Sequence, residues 1–186
     1  MGSDNTSDDT PEDTAAARLA HLQRYHREHP VTGPAEGSRR TVVHPSAPLS
    51  LATLDHVTAS VREIADHTYA INPEAGPVPA AAAAVYDWCH EHTEHADEVE
   101  RDRVLAVEYR HYLEHAIRAG DHTVVCKHRC PACRTWGLMW DASRQKAVCT
   151  HRRCTTRNNL SSTWSLARLA FAHVAEQKNL RQASAT

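Results

Sequence analysis

The sequence predicts an α+β fold that is mostly α: a small helical bundle, then a β-hairpin carrying two cysteine knuckles, then a final helix. Three observations predict it. Apolar residues recur at helical spacing from about residue 51 to residue 120. From Thr123 the period changes, and short runs of β-branched and aromatic residues alternate with turn residues. In that second region four cysteines follow the spacing C-x2-C-x15-C-x4-C, at Cys130, Cys133, Cys149 and Cys154. Two close pairs separated by a hairpin length are what a four-thiolate Zn²⁺ site needs, so the hairpin is expected to be a zinc ribbon.

The elements follow in chain order. Residues 1–14 are rich in Ser, Asp and Thr and have no apolar periodicity, so they cannot bury enough surface to order themselves. Between Pro11 and His29, Leu19, Leu22 and Tyr25 recur at helical spacing behind the cap-like Asp13 and Thr14, and Pro30 stops the pattern. Val31 to Ser50 holds Pro34, Pro45, Pro48, Gly33 and Gly37 and reads as a linker. Residues 1–50 are therefore expected to be an acidic, largely disordered N-terminal region with one marginal helix.

Residues 51–120 read as a helical domain. Thr53 is placed to cap a helix with Leu54, Val57, Val61, Ile64 and Ala65 on one face, ending before Asn72-Pro73. The Gly76-Pro77-Val78-Pro79 turn leads to a second helix from Ala80 to about His95. Five consecutive Ala give that helix its propensity, and Val85 and Trp88 its anchors. A third runs from about Ala96 to Ala119 on a stripe of Leu105, Tyr109, Tyr112, Leu113 and Ala116, with Gly120 as its C′ residue.

Residues 121–186 hold the ribbon and the last helix. Val124 and Val125 lead into the first knuckle. Thr135 to Trp140 reads as a strand, Asp141 to Gln145 as the turn, and Lys146 to Val148 as the return strand. Ser161-Ser162-Thr163 is placed to cap a helix containing Trp164, Leu166, Leu169, Ala170 and Val174. Trp136 and Trp140 share strand parity, so both are expected on one face, packed on that helix through Trp164.

Aromatic content is only 5%, so core volume must come from Ala, Leu and Val, which favours helical packing. No apolar run approaches the roughly 18 residues of a membrane span, and residues 1–17 hold five acids and no base, the opposite of a signal peptide's start. A soluble, cytoplasmic protein with no membrane partner is expected, and in a reducing compartment clustered cysteines serve metals rather than disulfides. The net charge of −2 conceals a polarity: residues 1–117 carry −11, from 9 Arg and 20 acids, and residues 118–186 carry +9, from 12 bases and 3 acids. The basic third is expected to meet an anion, either nucleic acid or an acidic protein surface, or to dock on the chain's own acidic half.

Four thiolates would close the tetrahedron and leave no place for a substrate water, so the site is expected to be structural. Cys126, four residues before Cys130, and His128 and His151 are alternative ligands in reach, and an iron–sulfur cluster would use the same four thiolates. Cys89, beside Trp88, reads as a small buried hydrophobe. His111-Tyr-Leu-Glu114-His115 fits an inverted zinc-peptidase pattern, but the positions fall opposite the apolar stripe and read as a solvated face. His92-Thr-Glu94 followed by Cys130-Pro-Ala-Cys133 matches a zinc deaminase signature poorly, since Pro131 lies inside the pair and Arg129 stands where the proline belongs. Phosphate-loop, dinucleotide and serine-hydrolase motifs do not occur. No enzyme is expected.

Around the cysteines stand Lys127, Arg129, Arg134, Arg144, Lys146, Arg152, Arg153 and Arg157, guanidinium and ammonium groups suited to neutralising phosphates. The residues Cys130-Pro-Ala-Cys133, Trp136-Gly-Leu-Met-Trp140-Asp141, Ala147-Val148-Cys149, Arg153-Cys154 and Trp164-Ser-Leu-Ala-Arg-Leu169 resemble uncharacterised zinc-ribbon proteins of actinobacteria and their mobile elements, over about residues 105–186. That resemblance implies a small accessory or regulatory protein and supplies no catalytic residue. The expected function is a non-enzymatic nucleic-acid-binding or transcription-associated module, with a zinc-stabilised protein-interaction adaptor as the alternative and a zinc hydrolase as a remote one.

Overall fold

Thr14 opens the first helix by accepting a hydrogen bond from the Ala17 amide on its hydroxyl, at 3.1 Å, so the cap-like residue of the sequence is the cap. The computed structural model describes residues 14–28 and 51–184; the expected tail and the Pro/Gly linker lie outside them. Helix α1 spans Ala15–Glu28, α2 Leu51–Ile71, α3 Val85–Thr93 and α4 Glu98–Arg118. A single turn, α5, spans Thr123–Cys126, and α6 spans Leu166–Ser184. Three short strands, β1 Leu138–Asp141, β2 Lys146–Cys149 and β3 Thr163–Trp164, form one antiparallel sheet in that order. The chain is thus mostly helical with a small sheet beside a cysteine cluster. Among the described residues no helix is long and apolar enough to cross a membrane.

Helix α4 is the hub, packed by α1, α2 and α6 at once. Asp97 caps its start by accepting from the Glu100 amide at 2.8 Å. Gly120 ends it at φ +87. The Gly120 amide donates to Ile117 O and the Asp121 amide to Ala116 O, a Schellman closure that satisfies the last carbonyls. One apolar core runs from Leu19 through Val57, Ile64, Val85, Val104 and Leu113 to Val124, Leu138, Ala147 and Leu169, so bundle and hairpin share it.

Several expectations change once neighbours are in place. The single stripe on α4 is wrong: Leu105 is exposed, whereas Ala106, Val107, His111, Tyr112, Leu113, His115 and Ala116 are all buried. A helix covered by three others buries more than one stripe. Helix α2 starts at Leu51, so Thr53 lies inside it and is buried, and Leu54 faces water. Ala82–Ala84 forms a 3-10 turn instead of α-helix, propensity yielding to the approach that seats Val85, Tyr86, Trp88 and Cys89 in the core. The first strand begins at Leu138, two residues past Trp136. The segment Thr163–Trp164, expected to belong to a helix and its cap, pairs with Val148 and Ala147 as β3. Ser165 takes over as cap of α6, its hydroxyl accepting from the Arg168 amide at 3.2 Å.

Candidate metal centre

Two backbone knuckles position the cysteines. In the first, the Cys130 amide donates to Thr135 O at 2.9 Å and the Arg134 amide to Cys130 O at 2.8 Å, with Arg134 in the left-handed region at φ 60. In the second, the Cys154 amide donates to His151 O at 2.9 Å and the Ser162 amide to Cys154 O at 3.1 Å. The register Leu138↔Cys149 carries the second knuckle back beside the first.

The four Sγ atoms lie within 4.8 Å of one another, so Cys130, Cys133, Cys149 and Cys154 form a group that can hold a metal ion. Contacts run crosswise between the knuckles, Cys130 to Cys154 and Cys133 to Cys149, each at 3.7 Å. That separation is far from the roughly 2.05 Å of a disulfide, and all four are free thiols. A hydrogen bond donated by the Thr135 hydroxyl to the Cys133 sulfur at 3.0 Å holds that thiol down at about 6, while burial pushes Cys149 up to about 12. Sulfurs this close cannot all ionise unless a cation joins them, which is the chemistry of a metal-ligand set. Among the described residues this is the only such group; Cys126 is exposed outside it, and Cys89 is buried in the bundle. His128 is turned instead to the Tyr109 hydroxyl at 3.2 Å, and His92 to Trp88 O at 2.9 Å.

Gly137 links the first knuckle to β1. Its φ is +118, and a Cβ there would meet Thr150 Oγ1 at 2.7 Å. The same carbonyl, Gly137 O, accepts from both the Thr150 amide at 3.0 Å and the Thr150 hydroxyl at 2.8 Å. Gly137→Ala is expected to cost about 1–3 kcal/mol of hairpin stability through backbone strain alone. Amide-exchange protection in β1 and β2 measures it; unchanged protection would show the turn to be unconstrained.

Lys127, Arg129, Arg134, Arg144, Lys146, Arg152, Arg153 and Arg157 are all exposed on the polypeptide around the centre. Arg144 pairs with Asp141 at 3.7 Å. Among the described residues the side chains of Arg134, Lys146, Arg152, Arg153 and Arg157 make no ion pair or hydrogen bond. Contacts between the acidic and basic parts of the chain lie elsewhere, Lys178 to Glu98 at 2.6 Å and to Asp102 at 3.1 Å, and Arg18 to Asp121 at 3.1 Å. No protein-family model, curated protein or solved structure matches this chain.

A second polar cluster lies between α2, α3 and α4, and its two α4 histidines, expected on a solvated face, are buried. His111 and His115 are 1% and 0% exposed. His56 Nε2 lies 2.9 Å from His115 Nδ1, and His115 Nε2 lies 2.9 Å from the Tyr86 hydroxyl. The hydroxyl is 3.2 Å from His111 Nδ1, and His111 Nε2 is 3.2 Å from Glu63 Oε2. Arg110 bridges Glu63 and Glu114.

Hydrogen-bond polarity fixes the donor at Glu63. The carboxylate of Glu63, held down at about 2 first by the His111 hydrogen bond and then by Arg110, can only accept, so His111 Nε2 donates. His56 and His115, both kept neutral by burial, each carry a single ring proton, so in each of them one ring nitrogen donates and the other accepts. Arg110 Nη2, 3.3 Å from His111 Nε2, is a donor too, and both converge on Glu63. The buried members, His111, His115 and Tyr86, have a partner on every polar side-chain atom, which is what makes such a cluster tolerable inside a core. The H-x-x-E-H spacing showed two histidines on one face; no sequence signal joined His56, Glu63 and Tyr86 to them.

Proposed function

We propose that the chain is a non-enzymatic zinc-ribbon protein that binds nucleic acid through the exposed basic surface around its cysteine centre. Zinc is favoured by geometry, because Zn–S bonds of about 2.3 Å place tetrahedral sulfurs about 3.8 Å apart. The two crosswise contacts are 3.7 Å. The four thiolates would supply every ligand, leaving the ion a folding role. The observation that carries the nucleic-acid reading is a set of exposed Lys and Arg side chains of which five have no partner in the described residues, on a third of the chain whose charge is +9.

Metal analysis of the purified full-length protein, joined to DNA and RNA titrations over a range of salt, tests the two halves together. Zinc at one per chain and affinity that falls with salt are expected; iron together with inorganic sulfide would mean a cluster instead. Arg152→Ala with Arg153→Ala should flatten the logarithmic salt slope by about one for each lost phosphate contact and weaken binding alike across sequences. These arginines sit in the turn between Cys149 and Cys154, with no helix to enter a groove and read bases. An unchanged slope would make them ordinary solvated charge. A zinc-stabilised adaptor is the second reading, favoured by the exposed Met139 and Leu160 near the same centre.

A further inference from the structure

Trp136 stands apart from the other tryptophans. Trp88, Trp140 and Trp164 pack on or within the core, with their indole nitrogens buried, whereas Trp136 is 59% exposed. The expectation that Trp136 and Trp140 share a packed face fails because β1 begins at Leu138 and Trp136 lies before it, in the loop leaving the first knuckle. The loop is constrained on both sides. Arg134 at φ 60 and Gly137 at φ +118 bracket it, and Gly137 O is tied to Thr150. The Arg129 guanidinium lies 4.8 Å from the Trp136 ring centroid, and its Nη1 donates to Arg134 O at 3.3 Å. A cation therefore backs one face of a large apolar ring, and the ring's exposure leaves the other to solvent.

Neither packing nor a hydrogen bond explains why so large an apolar side chain is held in water on a fixed mount. The exposed charged residues on the knuckle segment that leads to it, Lys127, Arg129 and Arg134, are all cationic, so the surface is complementary to an anion that also brings a flat, polarisable face. We propose that Trp136, backed by Arg129, is a stacking platform for an unpaired nucleobase, so that the chain prefers single-stranded nucleic acid to duplex. This rests on the nucleic-acid reading above. In a duplex both faces of a base are covered by its neighbours and only the edges can be reached; an indole can meet a base face only where the strand is open. The sequence-tolerant stacking of any base on an aromatic ring also suits a surface with no groove-reading helix.

The test uses full-length, metal-loaded protein with oligothymidylate and oligouridylate of about a dozen nucleotides, and a duplex of equal length, at matched salt. Single strands are expected to bind on the order of tenfold more tightly than duplex and to quench tryptophan fluorescence. Trp136→Ala should lose about tenfold on single strands with the salt slope unchanged, and Trp136→Tyr should recover most of it. Metal content and melting temperature of each variant report folding, which an exposed side chain should leave intact. Equal affinity for single strand and duplex, with Trp136→Ala binding as tightly as the parent, would overturn the platform while leaving the charge-based reading standing. Failure of the parent to bind any of the three would overturn both and leave the indole to a protein partner.

Discussion

Cys149→Ser will lose the metal and unfold the hairpin from Cys130 to Trp164, whereas Cys89→Ser and Cys126→Ser will keep both. The Cys149 sulfur is 3.7 Å from Cys133, and its backbone joins β1 through Leu138 and reaches Ser162, so one residue ties the ligand set to the sheet. Strands of four, four and two residues are too short to be stable without that tie. A structural zinc ion contributes on the order of 10–16 kcal/mol in small zinc-dependent domains, comparable to or larger than the stability of a whole domain. The loss will not stop at the sheet, since Leu138 and Ala147 line the same core as Leu113 and Leu169. Metal stoichiometry with amide dispersion, before and after a chelator, gives the measurement. Full metal occupancy in Cys149→Ser, or a hairpin that survives chelation, would refute the assignment.

Acid will unfold the helical bundle earlier than its carboxylates alone would dictate. Burial first, then Arg118, His111 and Arg110, lowers His56 to about 4; burial first, then His56, His111, Arg118 and Arg110, lowers His115 to about 2. Both imidazoles are neutral in the folded chain and have an ordinary value of 6.5 when unfolded. Below 6.5 the unfolded chain binds more protons than the folded one, so stability falls as pH falls, from 6.5 down through 4 for His56 and on towards 2 for His115.

Glu63 adds to the same trend, but only below its ordinary 4.5, as its carboxylate is protonated on the way to about 2. For His115 alone the loss reaches about 2 kcal/mol near pH 5. Urea midpoints between about pH 7.5 and 5 should fall steeply in the parent and less steeply in His115→Gln, which cannot titrate, even though that variant starts less stable because its chain of donors is broken. Equal slopes in the two proteins would show that the buried imidazoles do not govern acid stability.

Features that depend on chain-local chemistry were legible in the sequence. The cysteine spacing located the four sulfurs that meet within 4.8 Å, because ligand spacing and hairpin length are properties of consecutive residues. Thr14 as a cap, Gly120 at the end of α4 and Val85 and Trp88 as anchors were legible for the same reason: each is set by the backbone of its own segment or by a short apolar pattern. The eight basic residues lie at the surface, where solvation keeps long charged side chains.

What only the tertiary structure decided was which side of each element meets another. Periodicity assigns one apolar stripe to α4, but α1, α2 and α6 surround it, so His111 and His115 are desolvated and must find Tyr86, His56 and Glu63 across helices far apart in sequence. The strand Thr163–Trp164 exists only because β2 offers it an edge, and Trp136 is exposed only because the sheet starts after it. Burial and pairing are long-range events. A residue's own pattern fixes what it can bond to, and its neighbours in space fix whether water or protein provides the bond.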